Sequence, residues 1–406
     1  MSAAPTLLIP ERCGPRCQEW LPSPDAGRCP QHQYLDDAST RTIAACLADH
    51  DPSGTFTTWM TTRTRSETDL NIQNKFIKRL QSFSDRGALR WDSRQENVIP
   101  LYTRFLKYAA DIDIGVGFVQ HAIEVVRQRG SCRFLDIGFA PGGMSQLLLD
   151  ADLCISGVGI TLAPESGGNV YLNSLKDHPR YTVVERDAID LALTGLPNED
   201  LFDIIICGIT ISGSQNDESE HGQLKDRLHL AQLLLALRYI RPGGGILTRM
   251  HLGIRPLEIQ MLALLIDISS ARAAYKPLTE FAMRKTFWMV FGLIQSDRIQ
   301  PFVHRLRSAL ELSTDLEHAD LIGMNAIEAM EKFGERIVHD IRPIWLTQTK
   351  VLEWVMSGRQ ERLCGRCRRI GRRLCRLCQQ NVFAGVKQGA ERVELRLRNY
   401  SLADNR

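Results

Sequence analysis

The stretch 134-FLDIGFAPGGMSQLLL-149 decides how this chain is read. A short apolar run reaches Asp136, a turn holding Gly138, Pro141, Gly142 and Gly143 follows, and GGMSQLLLDA then carries helix-like apolar spacing. Strand, tight turn and helix in that order belong at the carboxyl end of a sheet strand, where open parallel sheets hold their ligands. Glycines let a ligand approach the backbone, and the first helical turn offers unsatisfied N–H groups to an anion. The spacing is D-x-G-x-x-P-G-G. It is neither the G-x-G-x-x-G of dinucleotide sites nor a P-loop, which would end in Lys-Ser/Thr.

The flanking segments repeat the alternation. NKFIKRLQSF and VGFVQHAIEVVRQRG carry apolar residues three and four apart, and Gly130 is placed to end the second helix. LCISGVGITL, YTVVERD, LFDIIICGIT and GGILTRMHLG read as further strands. QLKDRLHLAQLLLALRYI reads as a helix closing at RPGGG, PLEIQMLALLIDISS as another, and RKTFWMVFGLI as a late β-rich run. Strands alternating with helices predict an α/β fold, a mostly parallel sheet covered on both faces. Residues 298–357 read as helices, and no repeat of solenoid period is present.

With 406 residues the chain is long enough for a sizeable core and about two to three domains. Hydrophobic residues at 44% and charged residues at 24% exclude a disordered chain. A net charge of +3 does not demand a polyanionic partner, but arginine concentrates near the C-terminus. The longest apolar stretch, MLALLIDIS at 261–269, is too short to cross a membrane and contains Asp267. The N-terminus lacks the basic start and apolar segment of a secretory signal, so an intracellular protein is expected, cytoplasm and nucleus not being distinguished.

FLDIGFAPGGMSQ resembles the D-L-G-x-A-P-G-G-W/F-S-Q motif of the FtsJ-type RNA 2′-O-methyltransferases, which bind S-adenosylmethionine (SAM). The resemblance runs from 101 to 295 and includes YTVVERDAIDL, ISG at 211–213 and YIRPGGGILTRMHLG. It implies a Rossmann-like class I methyltransferase sheet with helices on both faces, extended by helical and Cys-rich termini. The expected divisions are a Cys/Pro-rich segment 1–55, a helical lead-in 56–100, the methyltransferase domain 101–295, a helical region 296–357 and an Arg/Cys-rich tail 358–406. By resemblance, Asp136, Gly138, Pro141, Gly142 and Gly143 wrap the methionine part of SAM, and Asp187 reaches the adenine. The acidic residue that grips the ribose after the second strand is replaced by Thr161, and Glu165 nearby is the alternative candidate for its role. Phe139 is bulkier than the small residue usual beside the second glycine.

The family resemblance also implies a Lys-Asp-Lys-Glu tetrad at the methyl acceptor, and here the chain departs from it. The aspartate slot falls on Gly208, the central lysine on Arg249 and the glutamate near Trp288, while Lys107 is the candidate first lysine. Arginine keeps a positive charge near a developing alkoxide but cannot act as a base. His251 follows Arg249 on the same side of its strand as a candidate base. The reading is a SAM-dependent methyltransferase acting on RNA with a degenerate tetrad. Its alternatives are an inactive SAM- or RNA-binding scaffold and a methyltransferase for another substrate.

Seven of the eleven cysteines lie in two terminal clusters. Cys364, Cys367, Cys375 and Cys378 form paired C-x-x-C knuckles, four thiolates suited to tetrahedral zinc. Cys13, Cys17, Cys29 and His32 form C-x3-C-x11-C-x2-H, a second candidate site of no familiar pattern. The arginines of 359–376 suit phosphate contacts in nucleic acid, although few aromatics accompany them for base stacking. A solvated basic tail is the alternative. Metal analysis of the purified chain is expected to find one or two zinc ions, and a metal-free chain would remove both zinc sites.

Overall fold

A computed structural model describes residues 38–68, 95–198, 200–209, 218–252, 255–277, 285–312, 316 and 319–356. Helices α1 (Ala38–Asp49), α2 (Thr55–Thr68), α3 (Gln95–Val116) and α4 (Phe118–Arg129) precede the first strand. The alternating part then runs β1 (Cys132–Ile137), α5 (Gly143–Ala151), β2 (Ile155–Thr161), α6 (Asn173–Lys176), β3 (Tyr181–Glu185), α7 (Ala188–Thr194) and β4 (Phe202–Cys207). It continues through α8 (Glu218–Tyr239), β5 (Ile240–His251), α9 (Pro256–Ile268), β6 (Ser269–Tyr275) and β7 (Thr286–Ile294). Helices α10 (Gln300–Leu312) and α11 (Ala326–Met356) follow.

The strands form one seven-stranded sheet in the order β3-β2-β1-β4-β5-β7-β6. β1 to β5 are parallel, whereas β7 runs antiparallel to both β5 and β6. This is the Rossmann-like α/β sheet expected from the alternation of strands and helices. The chain leaves β3 at one edge and returns as β4 on the far side of β1, so the strand order reverses beside the carboxyl end of β1. Such a reversal opens a crevice between neighbouring loops, which is where a ligand fits.

Burial explains the apolar runs. All six residues of β4, FDIIIC, are buried, as a central strand covered on both faces requires. Ile204 and Ile206 pack with Phe134, Leu247 and Trp288 under α3, α4 and α5. Ile205 and Cys207 face the other way, into a core with Leu135, Ile137, Met250 and the apolar residues of α8 and α9. The RPGGG segment, expected to close a helix, lies inside β5 instead. The register against β4 shifts between Phe202, opposite Ile240, and Ile204, opposite Gly245, and this bulge absorbs the extra residues.

Two features differ from the sequence expectation. SSARAAY forms edge strand β6, although Ala, Ser and Arg are poor strand formers, because its backbone completes the free edge of β7. The helices before and after the sheet also join. Trp59 of α2 donates Nε1–H to Gln348 Oε1 of α11 at 2.8 Å, and the Phe56 and Trp345 rings lie 5.0 Å apart. Helix α11 starts with a capping box: Asn325 Oδ1 accepts from Ile327 N and Glu328 N, and Asn325 N donates to Glu328 Oε2. No helix among the described residues is long and apolar enough to cross a membrane.

Candidate active site

The loop from Asp136 to Gly143 sits at the carboxyl end of β1, beside the reversal in strand order. Gly142 caps α5 at φ 110°, a backbone conformation that L side chains rarely adopt. A Cβ there would also lie 2.0 Å from Leu175 Cδ1. Gly138 has φ 85° and donates its N–H to Ile160 O at 2.8 Å, which ties the loop to β2. Pro141 and Gly143 are buried, and Gly143 starts α5 against the backbone of Phe105 in α3.

Asp136 does not face the crevice. It is 2% exposed, its Oδ2 accepts from Ser145 Oγ at 2.7 Å, and the Ser145 backbone N–H also donates to it. This carboxylate therefore takes up the Ser145 N–H in the first turn of α5. Ser145 Oγ also lies 2.7 Å from the Tyr181 hydroxyl, which reaches it by crossing β2 over Gly159. A Cβ at Gly159 would meet that hydroxyl at 1.9 Å. Burial pushes the Asp136 carboxyl up to about 7, and the Ser145 hydrogen bonds offset part of that rise.

Neighbouring strand ends present the open groups. Gly138 after β1 and Gly208 after β4 are partly exposed, and Leu162 after β2, Glu185 at the end of β3 and Asp187 after β3 are exposed. Asp187 caps α7 through Oδ1, which accepts from Ile189 N at 2.7 Å, and its second oxygen takes no part in that bond. Thr161 ends β2 and is 6% exposed. Backbone groups thus line one end of this row and carboxylates the other.

Residues 119–262 match the family model described as FtsJ-like methyltransferase. The match spans about a third of the chain, from α4 through β5 into α9, and so includes the glycine loop. Similar solved structures include a Plasmodium falciparum protein described as a ribosomal RNA methyltransferase, at 17% identity and TM-score 0.31, covering 43% of this chain and 96% of that one. A Klebsiella pneumoniae protein described as an O-methyltransferase is 16% identical with TM-score 0.32, covering 48% and 90% respectively. Human methyltransferase-like protein 13, solved with SAH, is 14% identical with TM-score 0.30, covering 51% and 93%. No curated protein sequence matches the chain.

Three of the expected tetrad slots converge at the ends of β4, β5 and β7. Arg249 and Trp288 are direct partners across β5 and β7, and a Cβ on Gly208 would lie 3.6 Å from Trp288 Cη2. Arg249 donates from Nη2 to Ile209 O at 3.3 Å, which places its guanidinium over the end of β4. Trp288 is buried and donates its indole N–H to the Tyr108 hydroxyl at 2.6 Å. Lys107 is exposed on α3, and its neighbour Tyr108 is the residue of that helix that reaches the site. Successive helical residues point about 100° apart, so one step along the helix separates the two.

Asp203 lies at the opposite end of β4, where its Oδ1 accepts from Arg129 and Arg241, each at 2.8 Å. It cannot serve the acceptor site. His251 keeps a buried Nδ1 with no hydrogen-bond partner among the described residues. Burial, then the charges of Lys225, Lys285 and Arg255, hold its imidazole well below the usual histidine range. It stays neutral at pH 7 and is a weak base.

ISG at 211–213 and both cysteine clusters, Cys13, Cys17, Cys29, His32 and Cys364, Cys367, Cys375, Cys378, lie outside the described residues. Among the described residues no group of His, Cys, Asp and Glu could hold a metal ion. Sequence reasoning missed Tyr108, Tyr171 and Glu185. Helical phase next to Lys107 could have suggested the first, but strand register was needed for the others.

The Asp136 carboxyl binds its proton more tightly folded than unfolded, where its value is about 4. Its contribution to stability is thus fully present below about pH 4 and is lost as pH rises through about 7. The melting temperature of wild type minus that of Asp136→Asn is expected to fall across this window. A difference constant from pH 4 to 8 would contradict the assignment.

Proposed function

We propose that the FtsJ-like domain binds SAM along the carboxyl edge of β3, β2, β1 and β4 and methylates RNA, at a ribose 2′-hydroxyl. The observation that carries this reading is the glycine loop at the strand reversal, with Arg249 beside it over the end of β4. Gly138 and the α5 N-terminus bound the methionine end, and Asp187 offers its uncapped oxygen to the adenine amino group. SAM supplies an activated methyl group, so holding the acceptor in line does much of the work. Arg249 stabilises the negative charge that develops on the acceptor oxygen, and it stays protonated throughout. Neither Gly208 nor Trp288 can take the acceptor proton, which leaves to solvent. The arginines of 359–376 supply phosphate contacts to the RNA strand, and zinc on the terminal cysteines would be structural.

The Trp288–Tyr108 pair favours a second reading. An indole hydrogen-bonded into the glutamate slot takes up space that an acceptor group would enter. A domain built this way binds SAM or RNA and serves as a scaffold without turnover.

Calorimetry with SAM and transfer of radiolabelled methyl to total RNA separate the readings. Wild type is expected to bind, and Gly142→Asp to lose binding because its side chain collides with Leu175. Arg249→Ala is expected to keep binding and to lower labelling by about 100-fold. Labelling unchanged by that substitution would discard the role of Arg249. Binding without any transfer by wild type would select the scaffold.

A further inference from the structure

Thr161 leaves the ribose without a carboxylate on β2, since a hydroxyl cannot bridge two ribose hydroxyls as a carboxylate does. The neighbouring strand supplies one. Glu185, the last residue of β3, is the direct register partner of Thr161, the last residue of β2. Register partners on adjacent strands share a face of the sheet. Tyr181 and Val183 lie on that face of β3 and belong to the core beneath the glycine loop. Glu185 is exposed where the strand ends.

Its carboxylate is also held in place. Glu185 Oε1 accepts from the Tyr171 hydroxyl at 2.8 Å. Tyr171 is 5% exposed, and its ring centroid lies 4.9 Å from that of Phe139. Phe139 is the bulky residue that departs from the loop motif. It is buried, and its N–H bonds Ile160 O at 3.2 Å. Loop, tyrosine and glutamate thus form one connected support, and one departure from the family pattern accompanies the other. The hydrogen bond from Tyr171 is made to Oε1, and Oε2 takes no part in it. Asp187, two residues on, has one oxygen outside its helix cap. A ribose and the amino group of its base would then be met from one strand end.

We infer that Glu185, positioned by Tyr171 and Phe139, is the carboxylate that binds the ribose hydroxyls of the adenosine moiety, replacing the acid absent at Thr161. The inference rests on the SAM reading above. The Glu185 carboxylate accepts from both hydroxyls. The polar contact selects an intact ribose over a deoxyribose, because losing a hydroxyl leaves a carboxylate oxygen unpaired.

Calorimetric titration of the full chain with S-adenosylhomocysteine and with its 2′-deoxyadenosyl analogue tests this. Wild type is expected to bind the deoxy analogue about tenfold or more weakly, the usual scale for a hydrogen bond to a charged group. Glu185→Gln is expected to bind S-adenosylhomocysteine about tenfold or more weakly and to lose most of the discrimination between the two. Tyr171→Phe should weaken binding less and keep discrimination. Glu165→Gln, on the nearby exposed turn, should match wild type. Thermal melting of each variant confirms that it folds. Wild-type affinity and discrimination in Glu185→Gln would overturn the assignment alone, as would loss of discrimination in Glu165→Gln. Absence of binding by wild type would overturn the SAM reading and this assignment together.

Discussion

The carboxylate of Asp136 joins three elements that would otherwise be free to separate. Through Ser145 it closes the first turn of α5, and through the shared hydroxyl it meets Tyr181 from β3. The path from β3 to α5 crosses β2, and it exists because Gly159 leaves room for the tyrosine hydroxyl. A buried carboxylate is costly in an apolar interior, and the hydroxyl and backbone N–H of Ser145 offset part of that cost. The loop between β1 and α5 is pinned at both ends by this arrangement, so its open backbone faces the crevice in one shape.

At the proposed acceptor side the side chains differ in kind from the tetrad that the resemblance implies. A family site that pairs carboxylates with lysines works by handing charge and protons between polar groups. Here the corresponding positions hold a glycine, an arginine and an indole, and the indole is satisfied by a tyrosine hydroxyl rather than by a substrate group. What remains is a fixed positive charge at the edge of an aromatic wall. Such a wall excludes water from one side of Arg249, which strengthens its field at short range.

Much of this was legible in the sequence. The apolar runs gave β1, β2, β4 and β5, because central parallel strands are covered on both faces, while edge strand β3 and antiparallel β7 showed through their β-branched and aromatic residues. The motif located the loop, and the slots at Gly208, Arg249 and Trp288 proved adjacent. Edge strand β6 was not legible, since SSARAAY has the composition of a loop and becomes a strand only beside β7. The inward turn of Asp136 was hidden for a similar reason. A motif records which residue types occur, and the partner that takes the carboxylate lies nine residues on, one helical turn inside α5. The support of Glu185 by Tyr171 depends on where β2 and β3 both end, which spacing alone does not give.

The joining of α2 to α11 has a further bearing on how the chain can be divided. Trp59, Phe56 and Trp345 bury one another, Arg272 of β6 pairs with Asp340 of α11 at 2.7 Å, and α9 packs against the same long helix. A fragment trimmed to the strands and the helices between them would carry the bare flank of α9 and β6 into water. Helices α2 and α11 therefore form a further layer over α9 and β6, supplied by segments that lie almost three hundred residues apart in the chain.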